Sequence, residues 1–289
     1  VLADFHFAGD QASIMGMFFH MDFAPGSGRR AVGFQRYTEI LERDWKRFVC
    51  VNFLTFIFCI PFLTGLVIAL LSTSSLLLIP VCIIGGLIMG PGLAGLYDCL
   101  YRSLRDAPGG WFENYKKALG QNWKSALIPG VILSLVTGFT AFMVMMLSET
   151  GKGLSISTLF VLLLGLVLTL MITGIYFPQM VLFSLSPVIR LSNCLVFSLT
   201  HPVKVIGTSL LQLIWFLLFA LFMPWSMILM PFMGLWFILL VSHFILYDDM
   251  NESFAIEERI AQVYPDQVAV YEDDAAWLRR KQEEAMQTR

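Results

Sequence analysis

The sequence predicts an all-α polytopic membrane protein with six transmembrane helices arranged as three hairpins, each preceded by a cytoplasmic surface helix. Three observations predict it. Hydrophobic residues make up 57% of the chain and charged residues only 14%, giving a mean hydropathy of +0.73, far above a soluble domain. Uncharged runs recur that are as long as the roughly 20 residues a helix needs to cross a bilayer. Lys and Arg alternate with those runs in a way that orients them. Net charge is −2, and no basic cluster exceeds what a membrane boundary needs, so no nucleic-acid partner is expected.

Residues 1–33 read as an N-terminal extension. Its start, VLADFHFAGDQASI, has two acids, no Lys or Arg and no apolar core, unlike a signal peptide, and Met15 is the natural start. The membrane domain is placed at 34–247. It opens with FQRYTEILERDWK at 34–46, which returns 78 residues later as FENYKKALGQNWK at 112–124, both fitting F-x2-Y-x3-L-x3-W-K. The spacing puts Phe34, Tyr37, Leu41 and Trp45 on one helical face, and likewise Phe112, Tyr115, Leu119 and Trp123. Each copy is therefore expected to lie on the membrane surface, apolar face down, before turning into a span. Trp45, Lys46, Trp123 and Lys124 would anchor the interface, Trp by its amphipathic ring and Lys by snorkelling.

The spans follow at about 48–71, 76–100, 125–147, 156–185, 205–225 and 229–247. Ser72–Ser75 and Thr150–Gly153 make polar turns, also 78 residues apart. Ser186-Pro187 is an N-cap followed by a first-turn proline, so 187–200 forms a separate helix ending at His201-Pro202. Lys204 there is a third interface anchor, after weakened motif positions Leu195, Leu199 and Val203. The turn between the last two spans falls within 224–234. FMPWSMILMPFMGLW reads as an outer turn with belt tryptophans at 225 and 236, and only weakly as a copper-binding Met cluster.

Eighteen of the nineteen Lys and Arg residues fall on one side of this topology. The bias places both termini in the cytoplasm, with six spans through the membrane. Residues 248–289, with eleven acids and five bases, read as an acidic cytoplasmic helical tail, with Asn251 capping a first helix, a break at Pro265 and a second helix in WLRRKQEEAM. The tail is either simply solvated or a docking site for a basic partner.

Several segments resemble a known family. MGMFFHMDFAPGSG, RDWKRFVCVNFLTFIFCIPFLTG, MGPGLAGLYDCLYRSLRDAPGGWFENYKKALGQNWKSALIPG and FPQMVLFSLSPVIRLSNCLVFSL look like the YesL-like proteins, bacterial integral membrane proteins often encoded near carbohydrate ABC importers. The resemblance implies six spans and no catalytic residues.

Candidate residues admit two readings each. Asp98, an acid inside a span, is a functional candidate, or it pairs with Arg102 one turn on. His243 is a proton relay or a packed, hydrogen-bonded residue. Asn52 is glue between helices. Gly90, Pro91 and Gly92 interrupt span two either to free backbone groups for a substrate or to let a neighbour approach. The five cysteines lack C-x-x-C spacing and read as reduced packing residues. No H-E-x-x-H, G-x-S-x-G, Walker A or paired intramembrane carboxylates occur, so no catalytic residue, metal or cofactor is expected. The function expected is a non-enzymatic accessory subunit linked to carbohydrate uptake, with the bilayer and an ABC importer as partners. The alternative is a small secondary transporter or channel with the interrupted second span lining its path.

Overall fold

The computed structural model describes residues 22–23, 30–149 and 155–264. The 1–14 extension, the Thr150–Gly153 turn and the WLRRKQEEAM helix lie outside the described residues. Within them the chain is helical from Gly33 onward: α1 (Gly33–Leu71), α2 (Ser75–Leu104), α3 (Trp111–Glu149), α4 (Ile156–Leu182), α5 (Pro187–Thr200), α6 (Pro202–Leu221), α7 (Ser226–Met233), α8 (Trp236–Phe254) and α9 (Ile256–Val263). A two-residue antiparallel pairing joins β1 (Asp22–Phe23) to β2 (Gly109–Gly110). The fold is that of an all-α polytopic membrane protein: five of the described helices are long and apolar enough to cross a bilayer, and α7 with α8, bent by 50°, are so when taken together as one span. Exposed Phe53, Ile57, Val67, Ile83, Ile132, Phe160 and Ile214 would be intolerable in water and suit lipid.

Helix starts follow local chemistry. The side chains of Ser74, Ser155 and Ser186 accept hydrogen bonds from the backbone N–H of Leu77, Thr158 and Ile189, satisfying donors that a helix start leaves open. The Ser72–Ser74 turn closes the first hairpin with Thr73 at φ 51°. Asn251 does cap a helix, but the next one: it sits inside α8, and its Oδ1 accepts the Glu257 N–H of α9 at 2.9 Å.

The surface helices of the first two units are not separate elements. α1 and α3 each run unbroken for 39 residues, about 58 Å at 1.5 Å per residue, so the motif and its span form one rod. Nothing between Trp45 and Phe48, or between Trp123 and Ala126, frees the backbone to turn. The repeat is nonetheless visible in the boundaries: α1 covers 33–71 and α3 covers 111–149, and α2 and α4 end at 104 and 182, each pair offset by 78. Only in the third unit does His201-Pro202 separate α5 from its span.

α2 is the axis of the bundle. Half of its most apolar stretch is buried, against 22–28% for the other four long helices. Its glycines explain why. A Cβ on Gly85 or Gly92 would press to 2.7 Å from Phe62 or Phe58 of α1. On the other face, one on Gly86 or Gly90 would collide with Ser134 or the Ala126 carbonyl of α3, and one on Gly130 with the Gly86 carbonyl. Ser134 Oγ also donates to the Cys82 carbonyl at 2.6 Å. This is a small-residue seam, where backbones meet because no side chain intervenes.

Candidate functional site

Three polar assemblies interrupt the apolar interior. The first is at the α7–α8 break. Ending one helix and starting another inside a membrane leaves carbonyls and N–H groups without partners, which hydrocarbon does not tolerate. Asn52, fully buried in α1, meets both needs. Its Nδ2 donates to the carbonyls of Met230 and Pro231 at 2.9 and 2.7 Å. Its Oδ1 accepts from the N–H of Leu235 and Trp236, both at 3.0 Å. Trp215 Nε1 adds a bond to the Gly234 carbonyl at 2.9 Å. Trp236 is no belt residue: it is buried and stacked on Phe48 at 5.2 Å, because the break turns it inward. Trp225 is 76% exposed.

The second assembly lies at the end of the bundle where α1 and α3 begin. Asp106, in a left-handed conformation just after α2, is buried and accepts from Arg36 and from Arg43 at 2.5 Å, with Arg30 at 3.8 Å. Asp44 is equally buried and holds Arg43, Arg47 and Ser103. Arg30 also donates to Glu257 of α9 at 2.8 Å, and Tyr247 donates to the same carboxylate at 2.7 Å. Burial pulls the Arg30 guanidinium down, but Glu257 outweighs it and holds it above its ordinary value. This ionic node ties α1, the end of α2 and α9 into one block.

Its presence sets which face of the first motif turns inward. In the 34–46 segment the inward face is Arg36, Ile40, Asp44 and Phe48, while Phe34 is 78% exposed and Trp45 48% exposed. Single charge-assisted hydrogen bonds from Arg36 and Arg43 to Asp106, just past the end of α2, draw the charged face inward and leave Phe34 and Trp45 to the lipid boundary. In the second copy Tyr115 is buried, as a core-facing helix requires, but Trp123 is again 46% exposed. Lys46 lies over the ring of Trp45 at 5.8 Å and Lys124 over that of Trp123 at 5.4 Å, matching cation–π pairs. Lys204 differs, pairing with Asp249 of α8 at 2.7 Å. The missed signal was two Arg-Asp dipeptides, Arg43-Asp44 and Arg105-Asp106, each bordering a span.

The third assembly is aromatic. His243 Nδ1 and Tyr101 Oη are 3.0 Å apart, Tyr97 meets the His243 ring edge-on at 5.1 Å, and Tyr101 also donates to Met250 Sδ. Asp98 does not join it, being paired with Arg102 Nε at 2.7 Å. Around span two, Gly92's carbonyl accepts from Tyr115 Oη at 3.2 Å and from Thr55 Oγ1 at 3.4 Å. The structure thus brings Asp98 to Arg102 and Gly90 to the α3 seam, but leaves Asn52, His243 and the glycines in separate places. Among the described residues no three His, Cys, Asp or Glu side chains are placed to share a metal ion.

Fold and polar assemblies together define a multi-pass α-helical membrane protein. No protein family, no individual curated protein and no solved structure matches the chain.

Proposed function

We propose that this protein is a non-enzymatic membrane subunit that binds and supports another membrane complex, a carbohydrate ABC importer being the partner suggested by its resemblance to the YesL-like proteins. One observation carries the reading. A broken helix serves a transporter by offering uncommitted backbone groups to a solute; here Asn52 engages two carbonyls and two N–H groups at the break. The glycines of α2 are likewise filled by α3 and α1. What remains for function is surface: the Trp-Lys pairs, the exposed face of α9 and the acidic tail, facing the cytoplasm of a bacterial cell in the orientation that the Lys and Arg bias favours. Purification from native membranes at native expression should recover importer transmembrane subunits in stoichiometric amount; a homogeneous homo-oligomer would overturn the proposal.

A second reading, a small secondary transporter, draws on the 50° bend between α7 and α8 and on Pro91 inside α2. It requires solute flux in proteoliposomes that Gly92→Leu or Asp98→Asn abolishes. An absence of flux across sugars and ions removes it.

A further inference from the structure

The arginines of the ionic node all have carboxylates, and Arg102 has Asp98. Arg190 does not. It lies in the first turn of α5, is 5% exposed, and places its guanidinium carbon 5.7 Å over the Tyr176 ring of α4. Its Nε and Nη1 are enclosed and, among the described residues, have no hydrogen-bond acceptor. A guanidinium cannot shed its charge by deprotonation, and a buried charge without a counter-ion is strongly disfavoured. An oxyanion reaching the guanidinium would supply the missing counter-charge.

The surroundings say which kind. α5 is amphipathic in the inverted sense: Val188, Ile189, Leu195 and Leu199 point outward, at 77%, 49%, 52% and 81% exposure. Arg190 turns inward with Cys194 and Phe197, and Asn193 beside them donates to Gln179 Oε1 at 2.9 Å. Such a helix suits the boundary between headgroups and acyl chains, where phosphates lie. The positive pole of α5 starts at Ser186, and Arg259 of α9 sits over Phe183 in the linker just before it, at 5.5 Å. Neither α5 nor the linker 183–186 contains an acid. We propose that the α4–α5 corner binds an anionic phospholipid, its phosphate on Arg190 and its acyl chains along Val188 and Ile189. The inference stands independently of the accessory role.

The test uses the full chain in detergent micelles, with thermal unfolding followed as phosphatidylglycerol or phosphatidylcholine is added. A ligand bound only by the folded state raises the unfolding temperature. The expected result is a saturable rise with phosphatidylglycerol and none with phosphatidylcholine. Arg190→Gln should unfold no earlier than wild type without lipid, because it removes a buried charge, and should bind phosphatidylglycerol at least about tenfold more weakly. Arg259→Gln, at the surface, should weaken it about fivefold. If Arg190→Gln fails to assemble, Arg190→Lys and Arg259→Gln carry the test, and an unchanged lipid response in both overturns the proposal. So does an equal response in wild type and Arg190→Gln. If inorganic phosphate without lipid reproduces the rise, the oxyanion on Arg190 stands and the lipid source is refuted. If neutralising Glu272, Asp273 and Asp274 lowers wild-type stability in the absence of lipid but leaves Arg190→Gln unmoved, the acidic tail is the occupant and the lipid proposal falls.

Discussion

Replacing Asn52 with Leu keeps the branched shape of the side chain, with some added volume, and removes every hydrogen bond that this position makes to the α7–α8 break. Four backbone groups lose their partner: the carbonyls of Met230 and Pro231, and the N–H groups of Leu235 and Trp236. Interhelical hydrogen bonds in membranes average about 0.6 kcal/mol, and a buried group left unsatisfied costs about 1–3 kcal/mol. Trp215 still holds the Gly234 carbonyl, and partial relaxation of the break recovers some of the loss. The expected destabilisation is therefore about 2–4 kcal/mol, a factor of roughly 30 to 1,000 in the folding equilibrium. Asn52→Asp keeps the acceptor for Leu235 and Trp236 but sets a carboxyl against the carbonyls of Met230 and Pro231, and should lose at least as much. Reversible unfolding in mixed micelles with a denaturing detergent, followed by tryptophan fluorescence, measures both variants, since Trp236 adjoins the break. A loss below about 0.5 kcal/mol for Asn52→Leu would refute the assignment of Asn52 as the group that makes the break possible.

Other perturbations separate the remaining assemblies. Gly90→Leu should prevent α2 and α3 from closing and yield misassembled protein on size-exclusion chromatography, whereas Gly165→Ala and Gly207→Ala, with nothing within 4 Å of the added Cβ, should be neutral or stabilising by up to about 1 kcal/mol. Asp106→Asn leaves Arg36 only the Glu39 carboxylate and Arg43 only that of Asp44 and should cost about 1–3 kcal/mol in the same micelle unfolding assay. Salt should distinguish the two halves of the node: at 1 M the part-exposed Arg30–Glu257 pair is screened, so amide exchange in 256–263 should rise while α1 near Asp44 stays protected. For topology, in a background without the native cysteines, a cysteine at Ser74 should react with an impermeant thiol reagent from outside the cell and one at Lys116 should not; labelling of both would refute the six-span orientation.

The spans were legible because crossing hydrocarbon demands one thing, length without charge, and the runs ending at Leu71 and beginning at Ile156 supply it. The 78-residue offset was also legible, and it returns in the limits of α1 and α3. Which face turns inward was not. In water an apolar stripe faces the core, but beside lipid it can face outward, so Phe34, Trp45, Leu195 and Leu199 lie outside while Arg36, Asp44 and Arg190 are buried. The packing role of Asn52 was readable from its type and depth; its partner was not, because nothing local to α1 announces a break about 180 residues later. The same holds for Asp106, whose arginine partners Arg36 and Arg43 come from 70 and 63 residues away.

The separation between Asn52 and its partners also sets an order in time. Met230 follows Asn52 by 178 residues and Trp236 by 184, so at about 5–20 residues per second of synthesis the first helix waits on the order of ten to forty seconds for them. Throughout that interval an amide sits in the nascent membrane segment with its intended partners not yet made. The doubled hairpins α1–α2 and α3–α4 can settle along their glycine seam meanwhile, since all their contacts are already present. The last crossing is therefore the closing event of biogenesis, and a ribosome stalled before residue 230 would leave an intermediate holding α1 to α6 with an open, amide-bearing flank for membrane quality control to recognise.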